Sequence, residues 1–312
     1  MYISVTTSGP GQHYCVKETA MSGHIGMGWV PDYPDIRDFT AANENIKALY
    51  AGTKKAKAAA APKLATVVDL RPWCSPIENQ LTLGSCTANA GVGMYEYFEQ
   101  RAFGTYSNHS RLFLYKVTRN LLNWTGDTGA YLRTTMAALV LFGTPPEKFW
   151  PYVIADFEKE PSAFCYAYAQ NFQALQYFRL DPPGTTPASF LNAIKSNLAA
   201  GLVSIIGFTV YSSYTQAAAT GKIPFPVATD KVVGGHAIAI VGYDDSIKIK
   251  NASPAGVETT GAFIIRNSWG TGWGQAGYGY LPYEYVLKGL AVDCWSMIKG
   301  EWVNSGQFGI PT

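Results

Sequence analysis

Between residues 86 and 103 the apolar positions Ala88, Val92, Tyr95 and Phe98 recur at three- and four-residue spacing. That period puts them on one face of a helix, and it predicts a helix that starts at Cys86. Shorter helical patterns cover residues 43–50 and 130–142. Another covers 186–198, with Thr186 as N-cap, Pro187 in the first turn and Gly201 as the stop. Downstream the pattern changes to short apolar runs at 202–210, 236–243, 262–266 and 278–281, which read as strands. Helices first and strands later is the order of an α+β chain with segregated halves.

The first sixty or so residues follow neither period. Gly, Ser, Thr and Pro dominate the start, and Gly28-Trp29-Val30-Pro31-Asp32-Tyr33-Pro34-Asp35 reads as an extended, aromatic-rich segment. Lys54-Lys55-Ala56-Lys57 and the alanines up to Pro62 read as a linker. The chain is therefore divided into an N-terminal segment, 1–62, and a catalytic body, 63–312, with a helical half at about 80–175 and a β-rich half at about 176–300.

A length of 312 residues with 47% hydrophobic side chains suffices for a substantial core. A formal charge of +2 with 15% charged residues gives no field for a polymeric partner, so no nucleic-acid partner is expected. No run approaches the ~18 apolar residues of a membrane span, and no membrane partner is expected either. Met1 to Ala20 lack the apolar core of a secretory signal, which leaves a cytoplasmic location or export by an unrecognised route. A monomer is expected. Five cysteines are an odd number; with Cys86 kept as a thiol, the other four form two disulfides or none.

Three local runs carry chemistry. Gln80-Leu-Thr-Leu-Gly-Ser-Cys86 holds a thiol at a predicted helix start, Gly235-His236-Ala237 opens a strand, and Arg266-Asn267-Ser268-Trp269-Gly270 follows another. A free thiol titrates near about 8.5, and a helix N-terminus and a neighbouring imidazolium both favour its thiolate. Cys86 is then the candidate nucleophile, His236 its base and proton donor, and Asn267 the group that orients the imidazole. Gln80 is placed to donate to an oxyanion, together with the Cys86 backbone N–H. His13, His24 and His109 lack ligand-spaced partners and read as surface residues, and Asp244-Asp245 reads as a solvated turn. No metal or organic cofactor is implied.

These runs resemble the papain-like cysteine peptidases, in a form more similar to bacterial members. The matching positions are Gln80, Gly84, Ser85 and Ala88 around Cys86; His236-Ala237 through Gly242-Tyr243; and Asn267 through Tyr278. The resemblance implies an α+β, papain-like fold, a helical half plus an antiparallel β-rich half with the active-site cleft between them. It implies hydrolysis of peptide bonds through a Cys86 thioester, with a peptide or protein as substrate. Trp269 is then expected to shield the His236–Asn267 bond. Gly129 and Ala130 resemble the family's Gly-Gly strand, which pairs with substrate backbone, and Ala237 is a candidate pocket wall.

Two departures stand out. Thr87 follows the nucleophile where the family has Trp, which leaves the cleft wall on the leaving-group side open. Leu83 and Asp127 occupy positions where the family carries a bridged cysteine pair. Family members are commonly made with a pro-region through the cleft, and residues 28–39 are the candidate here, running in a non-productive direction. The alternative is a strap packed elsewhere on the body. Two other functions keep the same residues in play: another thiol acyltransferase, such as a peptide ligase or amidase, and an inactive peptide-binding relative.

Overall fold

The computed structural model describes residues 26–52, 64–174 and 176–309. Cys15, His13, His24 and the Lys54–Pro62 linker lie outside them. In chain order the helices are α1 (Glu44–Gly52), α2 (Cys86–Phe103), α3 (Arg111–Leu122), α4 (Leu132–Leu141), α5 (Ala163–Ala169), α6 (Pro187–Ala199), α7 (Tyr283–Leu287) and α8 (Gly300–Asn304). The strands are β1 (Val67–Asp69), β2 (Gln176–Arg179), β3 (Ser204–Tyr211), β4 (Val232–Lys250), β5 (Glu258–Arg266), β6 (Tyr278–Pro282) and β7 (Ala291–Ile298). They form one sheet in the order β2-β7-β3-β4-β5-β6, with β1 on β4, and every pairing is antiparallel.

The α2 helix is the axis of the helical half. From Cys86 through Phe98 every residue is buried, and Gly104 ends the helix in a left-handed conformation (φ 72°) that donates its N–H back to Gln100. The α6 helix starts where Thr186 accepts from Ser189 N–H, as its sequence implied. The β4 strand is much longer than its apolar run: past Asp244 it continues as a ribbon with β5, in which Lys248 faces Thr260 and Lys250 faces Glu258.

That extension corrects the reading of Asp244-Asp245 as a solvated turn. Both lie within β4, and Asp245 accepts from Lys195 Nζ at 2.7 Å and from the Tyr283 hydroxyl at 2.6 Å. His109 is not a surface residue. It is fully buried, its Nδ1 3.0 Å from the Thr144 carbonyl and its Nε2 3.0 Å from Glu99. Cys74, Cys86, Cys165 and Cys294 are all free thiols, so no disulfide joins the described residues.

Candidate active site

Cys86 is the first residue of α2, with Ser85 as N-cap. Ser85 makes no capping bond of its own; its hydroxyl meets the Tyr152 hydroxyl at 2.6 Å, which in turn donates to Gln80 O at 3.0 Å. This leaves the helix N-terminus, with its partial positive charge, directed at the sulphur. His236 sits on β4 opposite Phe208 of β3, and Asn267 directly follows β5. Cys86 thus comes from the helical half and the other two from the sheet.

The imidazole and the amide are bonded, His236 Nε2 to Asn267 Oδ1 at 2.8 Å. Trp269 stacks on the imidazole with ring centroids 4.4 Å apart, on the face expected to exclude water from that bond. His236 Nδ1 is buried without a hydrogen-bond partner among the described residues. The next N–H along, that of Ala237, faces the Cys86 sulphur, so β4 runs against the start of α2. Gln80 is fully buried; its Oε1 accepts from the Ser268 hydroxyl at 2.5 Å, and its Nε2 donates to Leu83 O and Gly26 O, each at 2.9 Å.

Asp127, where the family staple is missing, carries a different one. Its carboxylate accepts from Gly84 N–H at 2.9 and 3.0 Å and from the Tyr115 hydroxyl at 2.6 Å. Tyr115 then accepts from Gly129 N–H at 3.1 Å, so the turn before Cys86 and the Gly129–Ala130 wall are tied together without sulphur.

Residues 26–30 lie in the cleft. Gly26 donates to Leu81 O, and its carbonyl accepts from Gln80 Nε2 at 2.9 Å. Ala130 N–H donates to Gly28 O at 2.8 Å and Ala130 O accepts from Val30 N–H at 3.2 Å, a parallel pairing centred on Trp29. Trp29 N–H donates to Gly235 O on the other side at 3.1 Å. The Trp29 indole fills a slot over Gly207, where any Cβ would overlap its ring, and its Nε1 donates to Asp293 Oδ2 at 3.0 Å.

Burial shifts the titration of the site's groups. It pushes the Cys86 thiol up to about 11, against the opposing backbone N–H groups of Ala237, Gly28, Thr87 and Trp29. It pulls His236 down to about 4, against the Asn267 bond that favours the charged ring. Burial also lifts Asp293 to about 6, opposed by the Trp29 indole, Arg179 and Trp295. Both shifts favour the neutral forms of Cys86 and His236.

The structure brings Cys86, His236, Asn267, Gln80, Ala237 and Trp269 to one place, and Gly129 and Ala130 to the adjoining wall. Sequence reasoning missed Asp127, Gly207 and Asp293. For Asp293 a signal existed: a carboxylate inside the apolar run Ala-Val-Asp-Cys-Trp-Ser-Met-Ile.

A model described as papain family cysteine protease matches residues 64–290. The chain is 33% identical over 284 residues to an uncharacterized peptidase C1-like protein of Acanthamoeba polyphaga mimivirus, covering 86% of this chain and 85% of that one. It is 28% identical over 233 residues to Peptidase 1 of Psoroptes ovis, covering 72% of this chain and 62% of that one. Among solved structures it is similar to xylellain, a cysteine protease from Xylella fastidiosa, with 33% identity, a TM-score of 0.69, and 89% of this chain and 98% of that chain covered. Bromelain from Ananas comosus, in complex with the E64 inhibitor, shares the fold at 17% identity and a TM-score of 0.55, with 75% of this chain and 99% of that chain covered.

Proposed function

The chain belongs to the papain family of cysteine proteases and is a cysteine endopeptidase, and on that premise we propose how its residues divide the work. Cys86 is the nucleophile, His236 takes its proton and later protonates the leaving amine, and Asn267 holds the imidazole by its Nε2. The bond that carries this assignment is His236 Nε2 to Asn267 Oδ1, which leaves Nδ1 as the ring nitrogen available to the thiol. When substrate replaces the N-terminal segment, Cys86 adds to the scissile carbonyl carbon. The oxyanion is then held by Gln80 Nε2 and the Cys86 backbone N–H. The amine leaves with a proton from His236, and water hydrolyses the thioester by the reverse sequence.

Residues 26–30 act as an inhibitory strap in this proposal. They place the N–H groups of Gly28 and Trp29 against the sulphur. The Gly26 carbonyl takes the Gln80 donor that an oxyanion needs. Covering the pair also removes the ionised thiolate–imidazolium form, because a buried charge pair must be desolvated. The substrate is an extended peptide whose backbone pairs along the Gly129–Ala130 wall, with Ala237 and Trp269 lining the cleft.

Incubation with a peptide substrate, with and without an added amine acceptor, tests the reaction. Hydrolysis products alone, lost in Cys86→Ala, are expected; a new amide to the acceptor would move the reading to a ligase.

A further inference from the structure

Gln80 and Cys86, the two residues that supply oxyanion donors, stand at either end of one short turn, and a single hydroxyl reaches both ends. Tyr152 donates to the Gln80 carbonyl at 3.0 Å, and its oxygen lies 2.6 Å from the hydroxyl of Ser85. A phenol has one proton. With that proton on the Gln80 carbonyl, the Tyr152 oxygen accepts from Ser85. Ser85 Oγ in turn accepts from Asn89 Nδ2 at 3.0 Å, and Asn89 Oδ1 accepts from Arg111 at 3.4 Å. Every donor points the same way, from the Arg111 guanidinium through Asn89, Ser85 and Tyr152 to the Gln80 carbonyl. Bonds arranged in one sense polarise one another. The series also accounts for Ser85, which sits at the N-cap of α2 and makes no capping bond: its hydroxyl is engaged on both sides.

The ring is held as firmly as the hydroxyl. The Arg111 guanidinium carbon lies 4.2 Å from the ring centroid, a cation over an aromatic face. Arg111 is itself buried and clamped by Glu147 at 3.0 Å and Glu78 at 3.1 Å. Two residues before Tyr152, the Trp150 carbonyl accepts from the Ser110 hydroxyl at 2.5 Å. Tyr152 is thus a fixed post, and the turn from Gln80 to Cys86 conforms to it. Burial raises the Tyr152 phenol to about 12, so near neutral pH its proton stays in place.

We propose that Tyr152 is a positioning residue for the oxyanion hole: its hydroxyl fixes the Gln80 main chain against the start of α2, and so sets the separation of the Gln80 amide from the Cys86 N–H. The proposal rests on the reading of those two groups as oxyanion donors. A donor of this kind contributes only when it meets the developing oxyanion at about 2.7–3.1 Å, so a small displacement is felt in turnover. Without the hydroxyl the Gln80 carbonyl is left with the Leu83 N–H at 3.3 Å, and Ser268 still holds the tip of the side chain. The backbone end of Gln80 then loosens while its amide end stays tied. The effect is confined to reactions that build an oxyanion. Attack on a peptide carbonyl builds one. Alkylation by iodoacetamide does not: the sulphur bonds to a saturated carbon as iodide leaves.

Tyr152→Phe keeps the ring on Arg111 and removes the hydroxyl alone. In wild type and in this variant, hydrolysis of a peptide substrate is compared with iodoacetamide alkylation of Cys86, the modified residue being located by mass spectrometry. The expected result is a kcat lower by on the order of 10-fold with KM unchanged, and an alkylation rate equal to that of wild type. The same substitution made in Gln80→Ala should then cost almost nothing, because the two residues act as one unit. A kcat equal to that of wild type would overturn the proposal. Equal slowing of hydrolysis and alkylation would also overturn it, by placing the effect on the thiol or the fold. So would a loss in Tyr152→Phe that persists undiminished beside Gln80→Ala. A Gln80→Ala enzyme that turns over like wild type would instead remove Gln80 from the oxyanion site, and the positioning role would fall with that reading.

Discussion

Residues 26–32 and 38–52 are separated only by residues 33–37 and are held by opposite kinds of force. The first stretch is a strand without a sheet of its own, held by backbone bonds to Ala130 and Gly235 and by one indole in a slot. The backbone of an extended peptide can replace the main-chain bonds, whereas the Trp29 indole bond to Asp293 needs a matching side chain. The second stretch is held by Ile46 in the core and by Asp38 between two arginines. No substrate offers those interactions. A regulatory segment is thus recognisable by bonds that a ligand can reproduce, and a structural one by apolar burial that it cannot.

The comparison breaks most clearly at Ile46. Ile46→Ala should cost about 2–5 kcal/mol of global stability, read from a denaturant midpoint, with epoxide labelling of the folded fraction unchanged. If labelling accelerates as much as stability falls, residues 38–52 are part of the strap and the division fails. Gln80 serves both states, so Gln80→Ala should lower kcat by about 10²–10³-fold while also removing a bond to Gly26. Equal turnover in the variant would remove Gln80 from the oxyanion site. Trp29→Ala should cost about 3–5 kcal/mol of stability, because a buried indole is lost and Asp293 loses a donor, and should speed Cys86 labelling of the folded fraction, because the slot over Gly207 loses its occupant. A slower reaction would show that Trp29 supports the site rather than covering it.

The smallest effect concerns acid. His236 falls from 6.5 to about 4 because of burial, so its folded-state pKa lies below its unfolded value. The neutral ring therefore contributes stability that is fully present above about 6.5 and lost as pH falls toward 4. His236→Gln should lose less stability than wild type across that window, measured by urea midpoints at each pH. An identical loss in both proteins would mean that the ring is already hydrated under the strap.

What the sequence made legible is local. Cys86, His236, Asn267 and Gln80 are each announced by their neighbours, and the start of α2 by its period. The α3 helix was not read, although it is amphipathic; its cations Arg111, Lys116 and Arg119 are buried because folding brings Glu147 and Glu158 to them. The β7 strand was hidden likewise: seven of its eight residues are buried, so apolar and polar positions do not alternate. His109 and Asp245 read as surface groups because their partners, Glu99 and Lys195, become neighbours only on folding. The slot for Trp29 depends on Gly207 and Asp293, which lie on two different strands, and no window of sequence contains both.

The most direct measurement is peptidyl-epoxide labelling of full-length wild type and full-length Trp29→Ala, with the modified residue located by mass spectrometry. Labelling confined to Cys86, and faster in Trp29→Ala, is the predicted result. Equal rates at Cys86, or modification of Cys74, Cys165 or Cys294 in its place, would contradict a thiol nucleophile held under its own N-terminal strap.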